Sequence, residues 1–154
     1  MIVFLSGGMS GLEDSEKRGW RELLKEHIGR YDEMRVISPT DFTGSDGYDC
    51  DEKEAFDFNT YWVRKCDVLV VNLNKMDSIG TAQEIMLAYT LNKPIIMISR
   101  QEDWDKIHPW YDIESTMIFY WDDDPRDTAD DIASYLYKYY VWDCDKRRNI
   151  MRFS

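Results

Sequence analysis

Two unbroken apolar runs, Val68-Leu69-Val70-Val71 and Ile95-Ile96-Met97-Ile98, bracket a segment of helical period carrying Ala82, Ile85, Met86, Ala88 and Tyr89. A run without polar alternation suits a strand buried on both faces, and spacings of three and four suit a helix. Pro94 stops the helical segment, and the polar stretch Asn72 to Gly80 leads into it. The span Cys66 to Ser99 therefore predicts a strand–loop–helix–strand unit, whose crossover is right-handed by the general rule for parallel strands.

The same pattern extends to both sides. Met1 to Leu5 predicts a first strand, ended by the glycine-rich Ser6-Gly7-Gly8-Met9-Ser10-Gly11. Glu13 to Arg30 predicts a helix with Trp20, Leu23, Leu24 and His27/Ile28 on one side, and Arg35 to Ser38 predicts a second strand closed by Pro39. Thr40 to Asp51, rich in Gly, Ser and Asp, reads as a loop long enough to form a lid or rim. Glu52 to Lys65 predicts a helix. Gln101 to Glu114, interrupted by His108-Pro109-Trp110, reads as irregular. Thr116 to Trp121 predicts a last strand, and Pro125 opens a last helix through Ala129, Ile132, Ala133, Leu136 and Tyr140.

Strands alternating with helices imply an α/β class: a doubly wound, mainly parallel five-stranded sheet in the flavodoxin-like order 2-1-3-4-5, with helices on both faces. At 154 residues the chain is expected to be one domain over 1–154, with a basic tail from about 143. The order 2-1-3-4-5 puts the first and third strands side by side with their connections running in opposite directions. Ligands bind beyond the carboxyl ends of such strands. Those ends carry Ser6 to Gly11 and Asn72 to Gly80, so the two most unusual loops converge on one crevice.

Charge and composition narrow the partners. A net charge of −11 argues against nucleic acid, which demands a basic footprint. The acidic positions Asp122 to Asp124, Asp127, Asp130 and Asp131 read as solvated surface, and Lys146-Arg147-Arg148 and Arg152 make the tail basic. No run approaches the ~18 apolar residues of a membrane span. Three cysteines, Cys50, Cys66 and Cys144, lack metal-ligand spacing; with no signal-like N-terminus they suggest reduced thiols and a cytoplasmic location. Only two histidines are present, which disfavours a histidine zinc site.

Glu84 is the position that a structural reading leaves unexplained. It lies one helical turn from Gly80 and one from Ala88, so a carboxylate shares a face with two small residues that leave room for a ligand. Near a helix N-terminus the ionised carboxylate is favoured. Such a group can act as a nucleophile or stabilise a cationic sugar, although an exposed helix glutamate accounts for the position equally well.

Three segments together resemble the nucleoside 2-deoxyribosyltransferase superfamily, which includes the 2'-deoxynucleoside 5'-monophosphate N-glycosidases. They are Phe4-Leu5-Ser6-Gly7-Gly8-Met9-Ser10-Gly11, Lys65-Cys66-Asp67-Val68-Leu69-Val70-Val71-Asn72-Leu73 and Ser78-Ile79-Gly80-Thr81-Ala82-Gln83-Glu84. The resemblance covers Met1 to about Ser99 well and the remainder loosely. It implies that Glu84 attacks the anomeric carbon, displaces the base and forms a covalent sugar ester, which a second base or water resolves. From the convergence of the two loops at the crevice, Phe4, Gly7, Gly8, Met9, Asn72, Asp77, Ser78 and Gly80 are expected to surround the sugar and any 5'-phosphate. Ser115, in Ser115-Thr116-Met117, is similar to a serine that a neighbouring subunit donates.

Two departures stand out. Members of the family often carry a tyrosine where this chain has Phe4, and its hydroxyl helps to orient the glutamate. Many carry an aspartate where this chain has Asn59, and an amide is no general acid near neutral pH. Weak activity is therefore expected unless another acid serves, with Asp77 ahead of Asp57 as the candidate. The expectation is a sugar-transferring enzyme on a 2'-deoxynucleoside or its monophosphate, needing no metal or redox cofactor. The alternatives are a monophosphate N-glycosidase and a catalytically weak nucleotide-binding module. A homo-oligomer, at least a dimer, is expected from the abundance of aromatics and from Ser115.

Overall fold

The computed structural model describes residues 1–42, 50–121 and 124–142. Five parallel strands form one sheet in the order β2-β1-β3-β4-β5, the order expected from the sequence. They are β1 Ile2–Gly7, β2 Arg35–Ile37, β3 Val68–Asn72, β4 Ile95–Arg100 and β5 Met117–Trp121. The central register pairs Ser6 with Val71 and Gly7 with Asn72, which brings the carboxyl ends of β1 and β3 level.

The period-2 alternation of the strands divides the core into two layers. Val3, Leu5, Val68, Val70, Ile96 and Ile98 pack under helices α1 (Asp14–Ile28) and α6 (Pro125–Leu136), against Leu24, Ile28, Ile132 and Leu136. Phe4, Leu69, Val71, Ile95 and Met97 face the other way, under α3 (Glu52–Lys65) and α4 (Ile79–Thr90), against Val63, Ile85 and Ala88. Both layers exclude water, which is why the inner strands carry no polar alternation.

Helix entries follow local chemistry. Asp51 and Glu54 exchange side-chain bonds to each other's backbone amides at the start of α3. Ser78 caps α4, accepting from the Thr81 amide at 3.4 Å and from the Thr81 hydroxyl at 2.9 Å.

Two segments differ from the sequence reading. Pro39–Phe42, at the start of the expected loop, is a short helix, α2; positions 43–49 of that loop lie outside the described residues. Gln101 to Glu114 is not irregular: Gln101–Lys106 forms a 3-10 helix and Pro109–Glu114 forms α5. Here His108-Pro109 opens a helix rather than breaking one. Proline tolerates the first helical position, and the His108 ring accepts from the Trp110 amide at 3.2 Å. Beyond α6 the chain continues as a π-helical turn, Tyr137–Trp142, and the basic tail from 143 lies outside the described residues.

Not all of the acidic late segment is free surface. Asp130 reaches across to the carboxyl end of α1, where His27 Nδ1 lies 2.8 Å away and Arg30, just beyond the helix, donates to it at 3.0 Å. No helix among the described residues is long and apolar enough to cross a membrane.

Candidate active site

The cleft at the β1/β3 carboxyl ends has a volume of about 250 Å³. Gly7, Met9 and Ser10 of the β1 loop wall it on one side, and Ser78, Gly80, Thr81 and Glu84 of α4 on another. Pro39 and Phe42 of α2 and Ala55, Phe58 and Asn59 of α3 close it. Phe42 and Phe58 stack on each other with ring centroids 4.7 Å apart, giving the cleft an aromatic wall.

Glu84 is held from two sides. The Ser6 hydroxyl donates to its Oε2, and the Asn59 amide donates to its Oε1 at 2.9 Å. Burial pushes the Glu84 carboxyl above the usual carboxylate range, while the bonds from Ser6 and Asn59 and the positive charge of Arg21 act to bring it down. Both oxygens thus have a donor, and the whole group is fixed in orientation. Gly80, one turn earlier, leaves open space where a Cβ would stand. The small-residue face expected around Glu84 is half realised: Gly80 opens onto the cleft, whereas Ala88 is fully buried in the core.

Ser6 was not singled out by sequence. It stands two residues after Phe4 and so points to the same face of the sheet, toward α3 and α4. A buried hydroxyl at the end of an otherwise apolar strand was the available signal. It gives Glu84 the hydroxyl contact that Phe4 cannot. Phe4 itself is fully buried in the core and does not line the cleft.

The β1 loop is pinned rather than free. The Gly8 amide donates to Asn74 Oδ1 at 3.1 Å, and Lys75 Nζ donates to the Ser10 carbonyl at 2.7 Å. A Cβ on Gly8 would stand 2.6 Å from that of Lys75, so the close crossing of the two loops demands glycine there. The Gly8 amide is thereby engaged, and Gly7, Met9 and Ser10 are the loop residues that line the cleft.

The remaining predicted positions lie apart. Asn72 is buried at the end of β3 and lines a separate cavity of about 400 Å³ with Trp20, Asn74 and Trp121. Asp77 is exposed and is not among the lining residues. Asp57 pairs with Lys53 on the outer face of α3. Ser115 follows α5, where its hydroxyl donates to the Asp112 carbonyl, at the opposite end of the sheet from the cleft.

No family model matches the chain, and no curated protein matches it. Solved structures share its fold at low identity. A conserved protein from Enterococcus faecalis V583 superposes with a TM-score of 0.67 at 14% identity, over 88% of this chain and 98% of that one. BlsM gives 0.64 at 19% identity, over 88% and 91%. The CMP N-glycosidase BcmB of Clostridium botulinum gives 0.62 at 15% identity, over 88% and 100%. The response regulator Rcp1 also matches, with a TM-score of 0.54 at 7% identity, over 92% and 94%. A fold common to a glycosidase and a response regulator does not define a reaction, so function must be argued from the cleft.

Proposed function

We propose that the chain cleaves the N-glycosidic bond of a nucleoside or nucleotide, with Glu84 as the nucleophile, and passes the sugar to a second base. The observation that carries this reading is the Glu84 carboxyl itself, desolvated, held by Ser6 and Asn59, and opening beneath Gly80 into a nucleoside-sized cleft. In the ionised form one oxygen attacks the anomeric carbon. The carbon–nitrogen bond breaks with its electron pair leaving on the base, which takes up a proton, and a sugar ester of Glu84 forms. The acceptor then attacks the same carbon, gives up its proton and releases the Glu84 carboxylate.

Phe42 and Phe58 suit a planar base, which gains from stacking on an aromatic face. Asn59 orients the nucleophile, a role an amide performs as well as an acid does. Protonation of the departing base is then left to water or to the substrate. A positioned general acid is commonly worth about 10²–10⁴-fold, so substrates with good leaving groups are favoured.

The second reading, in which water resolves the ester, is supported by the likeness to a CMP N-glycosidase. Purified protein incubated with ribo- and deoxynucleosides and their monophosphates, with and without free adenine, separates the two. Base exchange supports transfer, and release without exchange supports hydrolysis. A slow 2-fluoro sugar substrate should leave its mass on Glu84. No turnover of any member of the panel, or full activity in Glu84→Ala, would sink the proposal.

A further inference from the structure

Arg21 is a charged residue where the fold offers no need for one. It lies on the stripe of α1 that includes Leu24 and Ile28, and it is fully buried. Its guanidinium stacks on Trp20 at 4.4 Å. One terminal nitrogen donates to the Gly7 carbonyl at 3.1 Å and the other to the Lys17 carbonyl, while Nε has no partner. Both acceptors are neutral, and no ion pair is formed by Arg21 among the described residues. Burying a cation without a paired carboxylate is costly, and apolar side chains fill such places at lower free energy.

What this cation faces gives it a role. Gly7 walls the cleft and directly follows Ser6, the donor to Glu84. A Cβ on Gly7 would meet the Trp20 ring at 3.0 Å and the Arg21 guanidinium at 3.5 Å, so this glycine lets α1 press against the end of β1. We propose that Arg21 is a positioning residue of the Glu84 centre, fixing the end of β1 through Gly7 and supplying a permanent positive charge to Glu84 from behind the strand. The inference rests on the reading of Glu84 as the working carboxylate. From α1, β1 and α3, the groups acting on the Glu84 carboxyl are Arg21, Ser6 and Asn59, and only Arg21 is charged. Reciprocally, burial pulls the Arg21 guanidinium down to about 10, with Glu84 acting to raise it and Arg18 to lower it. At that value Arg21 stays protonated at neutral pH, and its charge does not switch with its surroundings.

The test compares Arg21→Gln, which keeps a donor without charge, with Arg21→Lys, which keeps the charge without the fork. Protein labelled with ¹³C at the glutamate carboxyls, with Glu84 assigned through Glu84→Gln, reports the Glu84 titration directly by NMR, with no need for turnover. Arg21→Gln should move the Glu84 midpoint to higher pH while Arg21→Lys holds it near the wild-type position. In step with this, Arg21→Gln should lose about tenfold more kcat/KM at pH 5 than at pH 8. A wild-type midpoint in Arg21→Gln, or equal displacement in both variants, would overturn the inference. An enzyme without turnover would remove the proposed function instead, and the NMR midpoints would still decide the role of Arg21.

Discussion

Glu84 carries a conflict between stability and chemistry. Its carboxyl is raised above the ordinary range because burial opposes its charge. For an acid with a raised folded-state pKa, the fold favours the protonated form. The stability this contributes is complete below the unfolded value and is lost as pH rises through the folded value. Glu84→Gln should therefore raise the melting temperature near pH 8, with the gain shrinking as pH falls toward about 4, the ordinary carboxylate range. Catalysis needs the opposite form, so wild-type activity should rise with pH through the same window. A melting-temperature gain that is constant with pH would show that Glu84 is not strained by its charge. Ser6 makes a second prediction. A hydrogen bond to a charged group is worth about 1.5–3 kcal/mol, so Ser6→Ala should lower kcat by roughly tenfold or more and move the acid limb upward. Phe4→Tyr should bring no gain, because both Glu84 oxygens already have a donor. Steady-state rates across pH measure both. Improvement in Phe4→Tyr would mean that Ser6 does not replace the missing hydroxyl.

At the level of elements, α4 is where sequence and site meet. Its start at Ser78 and the placement of Glu84 under Gly80 follow from a capping residue, a helical period and a small side chain, all readable in order along the chain. Gly80 gives a prediction of its own. A methyl there would meet nothing within 4 Å, and replacing a helical glycine by alanine stabilises by up to about 1 kcal/mol. Gly80→Ala should thus melt higher, by up to about 4 °C, while raising KM, because the methyl enters a small cleft. A higher melting temperature with unchanged KM would take Gly80 off the substrate path. Other elements were harder to read. Histidine before proline looks like a breaker until the ring is seen accepting from the Trp110 amide, a contact that depends on a side-chain angle rather than on any period. Ser6 and Arg21 left fainter traces. Each is a polar residue on an apolar face, and the pattern shows that it is out of place without showing which distant residue it answers. Only the register of β1 against β3 and the packing of α1 and α4 on opposite faces supply that.

The whole molecule raises the question of Ser115. Within one chain it precedes β5 at the end of the sheet remote from Glu84, so it cannot serve the cleft of its own chain. A role in the reaction then requires a second copy. The outer surface offers a place for one. Ile79, Met86 and Tyr89 form an exposed apolar stripe on α4, and Trp110 and Ile113 are exposed on α5, which packs beside α4 and donates from Tyr111 to the Met76 carbonyl. Burial of such side chains stabilises by about 25 cal/mol per Å² removed from water, and a two-fold contact would place the same stripe on both partners. We therefore expect a homodimer at micromolar concentration, measured by light scattering. Complementation is the sharper measurement. Glu84→Ala and Ser115→Ala should each be impaired on monophosphates, yet mixed and allowed to exchange subunits they should recover activity. In the mixed dimer one cleft combines an intact Glu84 with an intact Ser115 from the other subunit. A mixture no more active than the sum of its parts would separate Ser115 from the site, and a monomer would remove the shared-site model altogether.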